Sequence, residues 1–156
     1  MLSPESEHEI DLEIAKYPPD QKKAAVMAAL TIAQRENGWL TPETLDYVAH
    51  RLEIPAIRVA EVATFYSMYE LKPVGRHKIS LCTNISCMLR GSDEIKRHLE
   101  DKLGIKLGQT TSDGKFTLKE VECLAACCGA PMMQVDDDYH ENLTPERVDE
   151  ILDAVE

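Results

Sequence analysis

The chain has 156 residues, of which 44% are hydrophobic, and its 28 acidic against 17 basic side chains give a net charge of −11. That size supports one compact domain or two small units with a packed core, and the composition excludes wholesale disorder. An acidic balance this large disfavours nucleic acid and anionic membrane surfaces, both of which select for Lys/Arg patches, and no apolar run approaches the ~18 residues of a membrane span.

The opening stretch, "MLSPESEHEIDLEIA", is acidic and lacks the apolar core of a secretory signal or the Arg-rich character of a transit peptide. The expectation is a mature chain that begins near Met1 and stays in the cytoplasm. Ser3 as N-cap, Pro4 at the first helical position and acids in the first turn predict a helix that Pro18-Pro19 stop. Asp20 is expected to cap "QKKAAVMAALTIAQREN", with Ala24, Met27, Ala28 and Ile32 on one face and Asn37-Gly38 as its end. Thr41-Pro42-Glu43 opens a third helix through Leu52. Pro55 opens a fourth, "AIRVAEVATFYSMYEL". Its polar residues Arg58, Glu61, Thr64 and Ser67 form a narrow stripe, and apolar or aromatic residues take most of the remaining circumference. Such a helix is either a central core element or packs in part on another protein.

After "ELKPVGRHK" the pattern changes, which divides the chain into a helical bundle over 1–75 and a second domain over 76–156. "HKISLCT" alternates as a strand ending at Cys82. "GSDEIKRHLEDKLGIK" is a helix capped by Ser92 or Asp93 and stopped at Gly104. The Asp113-Gly114 turn leads into a strand from Lys115 to Glu122. A short strand in "APMMQVDDDYHENLT", with a partner around Tyr139-His140, precedes a closing helix from Thr144-Pro145-Glu146 through Val155. The class is α+β: a helical bundle followed by an α/β layer of thioredoxin-like proportions. Charge is uneven, with nine basic and five acidic residues over 76–119 against one and eleven over 120–156. The acidic stretch reads as a solvated helix face with its loop, or as a docking surface.

Five cysteines, an odd number in a compartment where disulfides are rare, point to metal or redox use. Cys82 ends one strand and Cys87 follows five residues later; Cys123 ends the next long strand and Cys127 follows four later. Loops beyond the carboxyl ends of strands are where α/β proteins place their sites. If these strands are neighbours, four sulfurs converge. A structural zinc site takes four thiolates, though usually from tighter pairs. The C-x-x-C of a dithiol redox enzyme and the C-x4-C-x2-C of plant-type ferredoxins are both missing. Spacing alone leaves a 2Fe–2S cluster, zinc and unliganded thiols open.

"CTNISCMLRG" and "VECLAACCGAPMMQVDDDYHENLTPE", with "NGWLTPETLDYVAHRLEIP" and "VAEVATFYSMYEL" upstream, resemble the family of E subunits of respiratory NADH–quinone oxidoreductase (complex I), which are thioredoxin-like 2Fe–2S ferredoxins. The resemblance implies that Cys82, Cys87, Cys123 and Cys127 bind one 2Fe–2S cluster, leaving Cys128 supernumerary. It also implies a flavin subunit as partner, binding FMN and NADH, in the peripheral arm of a membrane-bound complex at the cytoplasmic face of the inner membrane. The implied function is one-electron exchange with that FMN, without catalytic acid–base residues on this chain and without membrane insertion. Acids such as Glu120 and Glu122 would lower the potential, and bases such as Arg90 or Lys115 would raise it. His8, His50, His77, His98 and His140 are scattered and read as surface residues. The equivalent subunit of an NAD-linked hydrogenase or formate dehydrogenase is one alternative, and a zinc-stapled structural adaptor is another.

Overall fold

In a computed structural model, which describes residues 2–155, the chain divides after Pro73 into two compact units. The first contains α1 (Pro4–Ile14), α2 (Val26–Asn37), α3 (Pro42–Leu52) and α4 (Ala56–Phe65). The Ser3 hydroxyl accepts from the Ser6 N–H and the Thr41 hydroxyl from the Thr44 N–H, each ahead of a proline in the first turn. These bonds satisfy donors that a helix start would otherwise leave orphaned. Gly38 closes α2 at φ 78°, a left-handed conformation that glycine adopts without a Cβ penalty. Ile10, Leu30, Leu40, Val48, Leu52 and Val59 are fully buried. Each is worth about 1.5–3 kcal/mol of transfer free energy. The largely buried Tyr69 also satisfies its phenol, which donates to the Met27 carbonyl at 2.9 Å.

Two local expectations fail here. Residues Pro19–Ala25 form a 3-10 helix, with Gln21 outside helical dihedrals at φ −118°, ψ 18°, so Pro18 and not Asp20 stands at the cap position. The face this register buries is Ala25, Ala29, Leu30, Ile32 and Ala33. Of the residues expected there, Ile32 alone is fully buried; Ala24 and Met27 are exposed and Ala28 half-buried. Helix α4 also stops short. It ends at Phe65, Tyr66 is extended, and the chain turns back so that the Gln34 amide bonds the Met68 carbonyl and the Glu70 N–H. Within α4 only Val59 and Ala63 are buried. Ile57 is 64% exposed and Phe65 80%.

The second unit is built on a five-stranded sheet ordered β2-β3-β1-β4-β5, with β1 (His77–Cys82), β2 (Gln109–Thr110), β3 (Phe116–Val121), β4 (Met133–Val135) and β5 (Asp138–His140). Strands β1 and β3 are parallel neighbours with Cys82 opposite Val121; all other pairings are antiparallel. Alternate residues Ile79 and Leu81 of β1, with Phe116, Leu118, Met133 and Val135, pack against Ile95 and Leu99 of α6 (Ser92–Leu103) and Val148, Ile151 and Leu152 of α7 (Pro145–Ala154). The two helices lie together, tied by His98–Asp149 at 2.8 Å and Lys102–Asp149 at 3.2 Å. Thr144 caps α7 as its sequence predicts. Helix α6 is different: Gly91 at φ 99° is its N-cap, and Ser92, expected there, is a buried first residue. The class is α+β. No helix among the described residues is long and apolar enough to cross a membrane.

Candidate metal centre

The parallel pairing of β1 and β3 sends both chains out of the sheet on the same side, so the loops after Cys82 and after Val121 start next to each other. The Cys82 N–H bonds the Met132 carbonyl and the Thr83 N–H the Val121 carbonyl, both at 3.2 Å, which fixes the root of the first loop. Asn84 then caps a one-turn helix, α5 (Ile85–Leu89), by accepting from the Ile85 N–H at 2.8 Å. This turn buries Cys87 and leaves Ile85, Met88 and Leu89 outside at 65%, 48% and 76% exposure. Cys82 and Cys87 join Ala130 and Met132 in a small apolar cluster, with Leu124 and Ala126 against it.

The second loop, 122–132, is less enclosed: Cys123, Cys127 and Cys128 are all exposed. Its Glu122 carbonyl faces the Cys82 thiol, Sγ to O 3.9 Å. Ala125 takes a left-handed conformation at φ 60°, and its N–H donates to the Cys123 sulfur at 3.2 Å. Cys127–Gly129 form a 3-10 turn, closed by Gly129 N–H to the Ala126 carbonyl at 3.0 Å. Burial, and after it a hydrogen bond with Cys82, push the Cys87 thiol up to about 11, and the charges of Cys82 and Cys127 add to this. Cys87 is therefore a neutral thiol at neutral pH in the metal-free chain, and metal binding must displace its proton.

The structure thus brings Cys82 and Cys87 together on an apolar floor, with Cys127 close enough to act on Cys87, while Cys123 sits exposed at the start of the second loop. Among the described residues, no three His, Cys, Asp or Glu side chains are grouped as ligands of a single metal ion. Lys115 does not belong to the site. It lies at the far end of β3, about 20 Å away by strand rise, where its ammonium bonds the Val155 carbonyl at 2.7 Å. Of the histidines, His77 and His98 pair with Asp136 and Asp149 at 2.7 and 2.8 Å, away from the cysteines. Sequence reasoning missed α5, which carries Cys87 but is too short to show a period.

The family model of the thioredoxin-like [2Fe-2S] ferredoxins matches residues 10–156. The chain belongs to that family. A relative in Rickettsia bellii, the E subunit of NADH-quinone oxidoreductase, is 52% identical over 91% of this chain and 86% of its own length. A relative in Rhizobium meliloti, E subunit 2 of NADH-quinone oxidoreductase, is 49% identical over 94% and 86%. The fold is also similar to that of an NAD+-reducing [NiFe]-hydrogenase in its air-oxidised state, with a TM-score of 0.70 and 20% identity over 81% of this chain, which spans 22% of that one.

The cofactor of this ferredoxin is a 2Fe–2S cluster, and the residues present fit it. Thiols lie together at this end of the sheet, two from Cys82 and Cys87 and three from the adjoining loop with Cys123, Cys127 and Cys128. A binuclear cluster divides four thiolates between two irons, so it does not need three donors gathered round one ion. The Ala125 N–H already points at a sulfur, the kind of bond that stabilises charge on a ligand thiolate. Ala125 itself is strained, since a left-handed conformation costs a non-glycine residue about 1–2 kcal/mol. Ala125→Gly relieves that and adds back about 0.4–1 kcal/mol of unfolded-state entropy. The expected result is a metal-free chain more stable by up to about 1.6 kcal/mol in urea unfolding, with its absorption spectrum unchanged when loaded.

Proposed function

We propose that this chain is the electron-transfer subunit of an NADH–quinone oxidoreductase, with Cys82, Cys87, Cys123 and Cys127 as the ligands of its cluster. The observation that carries the ligand set is the parallel β1–β3 pair: Cys82 ends β1 with Cys87 in the loop after it, and the loop after β3 holds Cys123, Cys127 and Cys128. The names of the relatives supply the assembly. When bound, the cluster supplies reversible uptake of one electron; FMN, with NADH, belongs to the adjacent flavin subunit. Residues 76–156 serve as the ferredoxin domain and 1–75 as the docking region, on the cytoplasmic side of the membrane.

What the chain's own residues contribute is selectivity and setting. Cys82 and Cys87 hold the buried half of the site on Ala130 and Met132, away from water. Cys123 and Cys127 close it from the solvent side. Glu120 near the end of β3 and Glu122 at the start of the second loop lie beside it and disfavour added negative charge. Protein purified without oxygen or chelator is expected to contain about two irons and two labile sulfides per chain, the composition of a binuclear cluster. Stoichiometric zinc without sulfide would overturn the proposal.

A further inference from the structure

Gly129 follows Cys128, and its φ is not in the left-handed region, so backbone conformation does not demand a glycine there. Space does. A Cβ built on Gly129 would overlap Oε2 and Cδ of Glu141 and lie 2.7 Å from its Cβ. The glutamate occupies the volume that any side chain at 129 would need. Two backbone bonds hold it there: Asn142 N–H to the Gly129 carbonyl at 2.6 Å and Leu143 N–H to the Pro131 carbonyl at 3.0 Å. Asn142 makes the turn in a left-handed conformation, φ 51°. Segment 141–143 therefore runs along 129–131 and straps down the end of the second cysteine loop.

The strap brings a carboxylate into a stretch of sequence poor in cations. Over 120–156 the only Lys or Arg is Arg147, and its guanidinium is paired with Glu150 at 2.9 Å. We propose that Glu141 is a positioning residue for the second cysteine loop, seated on Gly129, and that its carboxylate fixes a negative charge beside Cys127 and Cys128 that disfavours reduction. The proposal rests on the reading of Cys127 as a cluster ligand. Reduction adds negative charge to a site that is already anionic, so a neighbouring carboxylate opposes it. Glu141 is exposed on its outer side, so the effect is modest and screened by salt.

The test is a redox titration of the full-length, cluster-loaded protein. Glu141→Gln keeps the shape that fills the Gly129 site and removes the charge. Iron and sulfide content should be unchanged, and reduction should become at least threefold easier at low salt, about 28 mV for one electron, with the difference shrinking at high salt. Gly129→Ala evicts the carboxylate and should shift the midpoint the same way, with the double variant adding little more, because the two sites act through one contact. An unmoved midpoint in Glu141→Gln with a full cluster overturns the proposal. So does a shift equal at low and high salt, or a fall in metal-free thermal stability without a change in midpoint. Failure of the underlying reading looks different: Cys127→Ala would then keep a native cluster, whatever Glu141→Gln does.

Discussion

Cys127→Ala is expected to lose the cluster, whereas Cys128→Ala is expected to keep its iron, its sulfide and its reduced-state EPR spectrum. The two thiols are adjacent and both exposed, so accessibility does not separate them. Geometry does. They occupy successive positions of a 3-10 turn, which advances about 120° per residue, so only one can face the floor where Cys87 lies. Cys127 is among the groups whose charge acts on Cys87. Removing an outer-shell partner of a metal site costs about 10–100-fold in affinity, and removing a ligand should cost at least as much. Cys128 is close enough to swing in and hold a distorted cluster in the Cys127→Ala protein; the double substitution closes that route and should hold none. A colourless Cys128→Ala protein beside a normal Cys127→Ala one would reverse the assignment.

The second large effect concerns docking. Phe65 is 80% exposed and stacks edge-to-face on Tyr66, ring centroids 5.0 Å apart and planes at 79°. Ile57 on the same helix and Met68 just beyond it are also mostly outside. Aromatic anchors of this kind carry a disproportionate share of interface energy, and truncating one typically costs about 2 kcal/mol or more, about thirtyfold in Kd. Phe65→Asp is therefore expected to weaken co-purification with the proposed flavin-subunit partner by that order. Having few contacts to lose, it should leave the stability of the free chain within about 0.5 kcal/mol. Leu89→Asp, on the exposed face of α5, is the control. Loss of binding in Leu89→Asp with full binding in Phe65→Asp would place docking on the cysteine side and make the first unit scaffold.

The starts of α1, α3 and α7 were legible because Ser3, Thr41 and Thr144 each precede a proline, a local device that works through bonds within one turn. Strand β1 was legible from alternation and Cys82 ends it as expected; Cys123, expected to end the next strand, lies two residues beyond β3, which stops at Val121. Features set by distant contacts were not legible. Ala24, Ala25, Ala28 and Ala29 are interchangeable as a hydrophobic pattern, so periodicity could not say which pair faces inward once the 3-10 segment shifted the register. Nothing local ends α4 at Phe65; Tyr69 and the Gln34 amide do so from outside the helix. The two-residue β2 is too short to alternate. Within the site, the sequence marked the cysteines but not Glu141, twelve residues after the Gly129 it covers. The one available signal was a glycine with no turn to explain it.

The cysteines divide by burial into two groups of different accessibility. Cys82 and Cys87, at 4% and 2% exposure, are packed in the small apolar cluster with Ala130 and Met132. Cys123 and Cys127 remain at the surface, on a loop anchored at its roots. A water-borne thiol reagent therefore meets three of the five sulfurs first, those of the second loop.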